Sequence, residues 1–165
     1  MIGNDIVDLE LAAQESNWKR KGFLEKLFTI KELQLIHDSD SPEIMVWNLW
    51  SRKEAAYKIF NRQSKITAFI PLRLECFNLD STNNQTLGEV RGMGNSYFTN
   101  TLINPEYVYS VAVGYLKDFG KIIDAKNINI SKDFDGLPYD HSNGKPVSIT
   151  HHGRFEKKIL LNCDS

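Results

Sequence analysis

The stretch WSRKEAAYKIF, residues 50–60, carries a carboxylate and an ammonium on a helix whose other features call for burial. Wound at about 100° per residue from Glu43 to Asn61, the apolar residues Ile44, Val46, Trp47, Leu49, Trp50, Ala55, Ala56, Tyr57, Ile59 and Phe60 cover almost the whole circumference. A helix apolar nearly all round belongs in a core. The polar exception is one line formed by Ser51, Glu54, Lys58 and Asn61. On an exposed helix Glu54 and Lys58, at i and i+4, would be a salt bridge worth about 0.3–0.5 kcal/mol. On a buried helix both charges need something polar to face. A bound cation or phosphate would satisfy both.

Asp5 is the second candidate. In GNDIVDL it shares a face with Val7 and Leu9 if the segment is extended; the plainer reading is a cap or turn at the chain start. A carboxylate on an apolar strand together with one on an apolar helix suits a hard cation. Mg²⁺ is typically held by one or two protein carboxylates plus water and substrate phosphates. The third candidate is SITHHG, where an extended backbone turns His151 and His152 to opposite faces, so the two do not chelate one metal. Four histidines without Cys/His spacing argue against zinc. His151, beside Thr150, is suited to donating a hydrogen bond to phosphate; the plainer reading is a surface histidine on a strand. The chain has no Gly-rich nucleotide loop, no G-x-S-x-G elbow and no cysteine in a nucleophile context. An enzyme built on these residues therefore draws its attacking atom from a substrate.

The elements that must position these groups follow from patterning. MIGNDIVDLELAA reads as a short strand entering a helix with Asp8 as N-cap. FLEKLFTIKELQLIH splits into a short helix and a second from Ile30, because Thr29 and Glu32 form a capping-box pair. The 43–61 helix follows. From about residue 69 the texture becomes β: FIPLRLECFNL alternates, TNNQTLG is turn chemistry, and GEVRG, NSYFTNTLI and EYVYSVAVGYL read as further strands. Helices first and an antiparallel meander afterwards predict an α+β fold. A tail from Lys117 carries a short strand in AKNINIS, a Gly/Pro/Asp-rich loop, and the β-like VSITHHGRFEKKILLN.

Bulk properties set the bounds. The 165 residues fit one domain, read as a core unit over 1–116 and a tail over 117–165. Twenty basic against 21 acidic residues exclude a general polyanion binder, so nucleic acid is not the expected partner. The cluster Trp18-Lys19-Arg20-Lys21 could still meet an acidic protein or be a solvated surface. Cys76 and Cys163 have no paired spacing, no apolar run suits a membrane span and no leader pattern opens the chain, so the expectation is a cytoplasmic protein off the membrane.

Taken together, these residues resemble the 4′-phosphopantetheinyl transferase superfamily. Its members share a G-x-D segment and, further on, a W-x-x-K-E-(A/S)-x-x-K helix; here these are Gly3-Asn4-Asp5 and Trp50 to Lys58. Between them FLEKLFTIKEL is similar to a stretch of holo-acyl-carrier-protein synthases, and YVYSVAVGY resembles the strand that closes the repeat unit. VSITHHGRF resembles the I-S-H-S-G-R strand, with Thr150 and His151 in the Ser-His positions, although here it follows a complete unit. Gly136-Leu137-Pro138 and Gly144-Lys145-Pro146 both compete for the G-K-P element. Val7 stands where larger members have a second acid, and Asp8, one residue on, points to the other side of an extended strand and stays out of the metal set.

The resemblance implies a transferase that moves the phosphopantetheine arm of coenzyme A to a serine of an acyl carrier protein, an acidic partner, and releases 3′,5′-ADP. It implies Mg²⁺ on Asp5 and Glu54, with Glu54 accepting the serine proton and Lys58 assisting the leaving phosphate. Coenzyme A contacts are expected from His151 and Thr150, with Lys53, Arg154 and Lys145 as further ones. Short synthases share sites between subunits, so a homo-oligomer is expected. The rivals are a silent carrier-protein or coenzyme A binding module, a metal-dependent hydrolase of the same pyrophosphate, and a plain structural protein.

Overall fold

The computed structural model describes residues 1–162; Cys163 lies outside them. Strand β1 (Ile2–Asp8) runs into helix α1 (Leu9–Glu15) at Asp8, whose carboxylate accepts the Glu10 and Leu11 N–H groups. A single 3₁₀ turn, Leu24–Lys26, precedes α2 (Ile30–His37), which opens with the expected capping box between Thr29 and Glu32. Helix α3 (Pro42–Ser64) starts with proline in its first turn and ends at Lys65, which takes a left-handed φ of 61°. It extends one residue before and three residues past the 43–61 expectation.

Strands β2 (Glu75–Ser81), β3 (Gln85–Gly92), β4 (Asn95–Ile103) and β5 (Tyr107–Val113) follow as an antiparallel meander. The first of these starts later than its alternation predicts. Pro71–Arg73 forms a 3₁₀ turn and leaves Leu72 half exposed, since proline has no N–H for a ladder and fixes its own φ. Strand β1 joins the far side of β5, giving the order β1-β5-β4-β3-β2. The α+β expectation holds.

The tail forms β6 (Ile122–Asp124), β7 (Ile130–Lys132), β8 (Pro138–Asp140), β9 (Val147–His152) and β10 (Phe155–Leu161). Of AKNINIS only its end is strand, and β6 has no counterpart in the sequence reading. Strands β6-β10-β9 make a second sheet and β7-β8 a small ribbon. Ile159 and Leu161 of β10 pack with Ile2, Val111 and Val113, so the tail seals the sheet at β1 and β5. On the other side α3 buries Val46, Leu49, Ala55, Ala56 and Ile59 with Val90, Val108 and Ala112 of the strands.

Two cations on α3, Arg52 and Lys53, are also fully buried. The Arg52 guanidinium donates to Thr99 Oγ1 (3.0 Å), Asn78 Oδ1 (2.7 Å) and the Phe77 carbonyl (2.7 Å), reaching across β2 and β4. Gly88 makes that room, since a Cβ there would lie 2.0 Å from Arg52 Nη2. The Lys53 ammonium donates to Glu32 Oε2 (2.6 Å), the Leu27 carbonyl (2.8 Å) and the Pro71 carbonyl (3.0 Å). Glu32 also accepts the N–H groups of Thr29 and Cys76, both at 2.8 Å. All three Lys53 protons are thus taken inside the core, and the coenzyme A contact expected of Lys53 is corrected to a structural one.

Lys53→Met should therefore cost about 3–5 kcal/mol, because it strands the Glu32 carboxylate without its cation. Urea denaturation measures this, and a loss below about 1 kcal/mol would remove the pair from the stabilising interactions.

Candidate active site

The site begins with a close approach. A Cβ at Gly3 would fall 2.0 Å from the Ala55 carbonyl oxygen, so only glycine lets β1 lie this tightly against α3. Two residues beyond Gly3 is Asp5, and one residue before Ala55 is Glu54. The contact thereby brings a strand carboxylate and a helix carboxylate to one cavity.

That cavity holds about 270 Å³. Asp5, Glu54, His151 and His152 line one part, and Phe23, Phe28, Trp47 and Trp50 contribute apolar wall. A second cavity of about 180 Å³ is lined by Lys58 and Arg62 with Tyr57, Pro138 and Ser148. Lys58 Nζ, 3.8 Å from Asp5 Oδ1, links the two.

Strand β9 supplies the remaining wall by an unusual pairing. The outer edge of β1 has no backbone ladder with β9. Its N–H groups donate instead to side chains two residues apart: Asn4 to Ser148 Oγ (2.9 Å), Ile6 to Thr150 Oγ1 (3.1 Å) and Asp8 to His152 Nδ1 (2.9 Å). Lys58 completes the joint, donating to the Asn4 carbonyl (2.6 Å) and the Ile149 carbonyl (3.1 Å). The tail strand thus completes the site of its own chain.

The predicted residues separate accordingly. Asp5, Glu54 and His151 meet at one cavity, with Lys58 beside Asp5. Of the polar line on α3, the ends turn to protein: Ser51 Oγ sits 2.6 Å from Ser110 Oγ and Asn61 donates to the Ile66 carbonyl (2.9 Å). Thr150, expected to face the ligand, is buried and directs its hydroxyl at Asp5 Oδ1 (3.2 Å). Arg154 is held by Asp8 through Nε and Nη2, both at 2.9 Å, with Glu10 3.1 Å from Nη1. The Arg154 guanidinium beside Asp8 holds the Asp8 carboxyl far below the usual range. Lys145 lies in the loop before β9, lines neither cavity and has Asp140 nearby. Sequence reasoning missed Ser148 and His152 as strand-joining residues. The polar alternation Ser148, Thr150, His152 was the available signal.

Electrostatics marks the carboxylates as unusual. Burial pushes Asp5 up to about 6, against the pull of Lys58 and Thr150. Burial first, then the Asp5 charge, push Glu54 up to about 7, and Lys58 only partly opposes them. Burial likewise lowers Lys58, against both carboxylates. Glu54 takes no hydrogen bond from any described residue. Two facing carboxylates, one without a hydrogen-bond donor, fit a cation held by few protein ligands and finished by water and phosphate, as Mg²⁺ is. Among the described residues no three His, Cys, Asp or Glu side chains are placed to hold one metal ion together.

An antiparallel sheet crossed by one long helix, with a raised acid from each at a shared cavity, marks a candidate functional site on an α+β fold. A family model described as the 4′-phosphopantetheinyl transferase superfamily matches residues 1–112. The chain belongs to that superfamily and is a phosphopantetheinyl transferase by class; the family uses coenzyme A and acts on carrier proteins. No curated protein matches the chain. An apo-ACPS structure from Chronobacterium ammoiniagenes is 15% identical, with a TM-score of 0.51 over 68% of this chain and 93% of that one. A holo-acyl-carrier-protein synthase from Thermotoga maritima is 12% identical, with a TM-score of 0.48 over 98% of this chain and 83% of that one. No helix among the described residues is long and apolar enough to cross a membrane.

The raised carboxyls carry a stability consequence. Folded Glu54 and Asp5 hold protons that the unfolded chain releases near 4.5 and 3.8, so the contribution of these two groups to stability is greatest at low pH and is lost as pH rises towards about 7. Without divalent cations these two groups should cost the chain about 2–4 kcal/mol between pH 5 and pH 8, and Glu54→Gln should lower that slope by about half or more. Urea titrations across the range, with chelator present, check both; an equal slope in the variant would remove Glu54 as its source.

Proposed function

We propose that this chain transfers the 4′-phosphopantetheine arm of coenzyme A to a serine hydroxyl of an acidic acyl carrier protein. The observation that supports this is the pairing of two raised carboxyls, Asp5 and Glu54, at one cavity with Lys58 beside them. In this reading Asp5 and Glu54 hold Mg²⁺, which when bound would offset the charge of the coenzyme A pyrophosphate. The arm occupies the cavity with the apolar wall, and the nucleotide lies towards Lys58 and Arg62.

The serine oxygen attacks the phosphorus bearing the arm. A phosphoester bond forms, the bridging P–O bond breaks, and 3′,5′-ADP leaves with that electron pair. Glu54 accepts the serine proton. Lys58 sets a positive charge beside the departing phosphate, and His151, on the cavity rim, donates to a phosphate oxygen. Lys19, Arg20 and Lys21, exposed just before the cavity residue Phe23, suit an acidic carrier surface.

The test mixes the protein with coenzyme A, Mg²⁺ and several apo carrier proteins and weighs each carrier by mass spectrometry. One carrier should gain the mass of one phosphopantetheine; release of 3′,5′-ADP with no carrier gaining mass would replace transfer by hydrolysis. Glu54→Gln should lower transfer at least about 10²-fold with the fold intact. His151→Ala should chiefly raise the KM for coenzyme A, and an unchanged KM would take His151 out of the site.

A further inference from the structure

We infer that Thr150 is a positioning residue for Asp5, so that β9 sets the orientation of the strand carboxylate. The hydrogen bonds around Thr150 admit one direction. Its Oγ1 accepts the Ile6 N–H at 3.1 Å, and a backbone amide can only donate. The hydroxyl proton is then left for Asp5 Oδ1, 3.2 Å away. Asp5 Oδ1 must accept, with Lys58 Nζ 3.8 Å from the same atom. One oxygen of Asp5 is thereby committed to β9 and Lys58, and the other is left for the cavity shared with Glu54.

The neighbouring rungs of the joint do not do this. Ser148 Oγ accepts the Asn4 N–H at 2.9 Å and donates to Asn4 Oδ1 at 2.7 Å, and His152 Nδ1 accepts the Asp8 N–H. Both tie β1 to β9 without touching Asp5. Thr150 alone among the three couples the strand joint to a site carboxylate. A donor that locks one oxygen of a ligating carboxylate fixes the direction of the other, and loss of such an outer partner typically weakens cation binding about 10–100-fold.

This inference rests on the proposed cation at Asp5 and Glu54, and the experiment separates the two. Tb³⁺ is titrated into the free protein and read by luminescence sensitised through Trp47 and Trp50, both of which line the cavity. Wild type should bind and Asp5→Asn should lose the signal; failure of wild type to bind would overturn the cation reading and this inference with it. Thr150→Val should weaken binding about tenfold or more, while Thr150→Ser and Ser148→Ala stay within about twofold of wild type. Thermal melts should show Thr150→Val and Ser148→Ala falling by similar amounts, since each leaves one β1 N–H unpaired. Thr150→Val binding like wild type, or Ser148→Ala weakened as much as Thr150→Val, would overturn the positioning role. If Thr150→Val does not fold, Thr150→Ala takes its place, because the space it leaves lets a water meet the Ile6 N–H.

Discussion

The contact of Gly3 with the Ala55 carbonyl governs this molecule. Backbone meets backbone there, so the separation of β1 from α3 is set by covalent geometry rather than by adjustable side chains. Asp5 and Glu54 inherit their proximity from it. The cost appears in both carboxyls, which burial holds above their ordinary pKa, with the Asp5 charge adding to the rise at Glu54. Sites that bind cations or take up protons commonly accept such penalties, because the ligand relieves them.

A second constraint follows from the edge of β1. An edge strand offers unpaired N–H groups that must be satisfied. Here side chains of β9, not its backbone, satisfy them, with Lys58 bridging the two carbonyl rows. This arrangement explains how Lys58 can be both structural and part of the site. It also explains why a tail outside the family-matched residues 1–112 contributes wall to the cavity.

Much of this was legible in the residues. The apolar circumference of α3 predicted burial, the Thr29–Glu32 pair predicted the start of α2, and Glu54 on a buried face predicted an acid that needs something polar to face, which the structure sets at a cavity. Other features were hidden for physical reasons. Lys53 reads as a coenzyme A contact and Arg52 draws no role, because nothing local announces partners such as Glu32 or Asn78, which lie 21 and 26 residues away. Arg154 looked like a phosphate ligand because its type suits one, yet a turn at Gly153 sets it on Asp8. The bond of the Thr150 hydroxyl to Asp5 was hidden because strand alternation gives a face but not the donor's target. The alternation around Pro71 was real in the letters and void in the backbone.

Arg52, Lys53 and Glu54 are consecutive, and their environments diverge completely. Arg52 is pegged into the sheet and Lys53 into the α2 side of the core, so α3 is gripped at two azimuths one residue apart. A cylinder held that way cannot roll. Rolling is the motion that would swing Glu54 off its cavity, so the two buried cations act as a rotational brake on the residue that follows them.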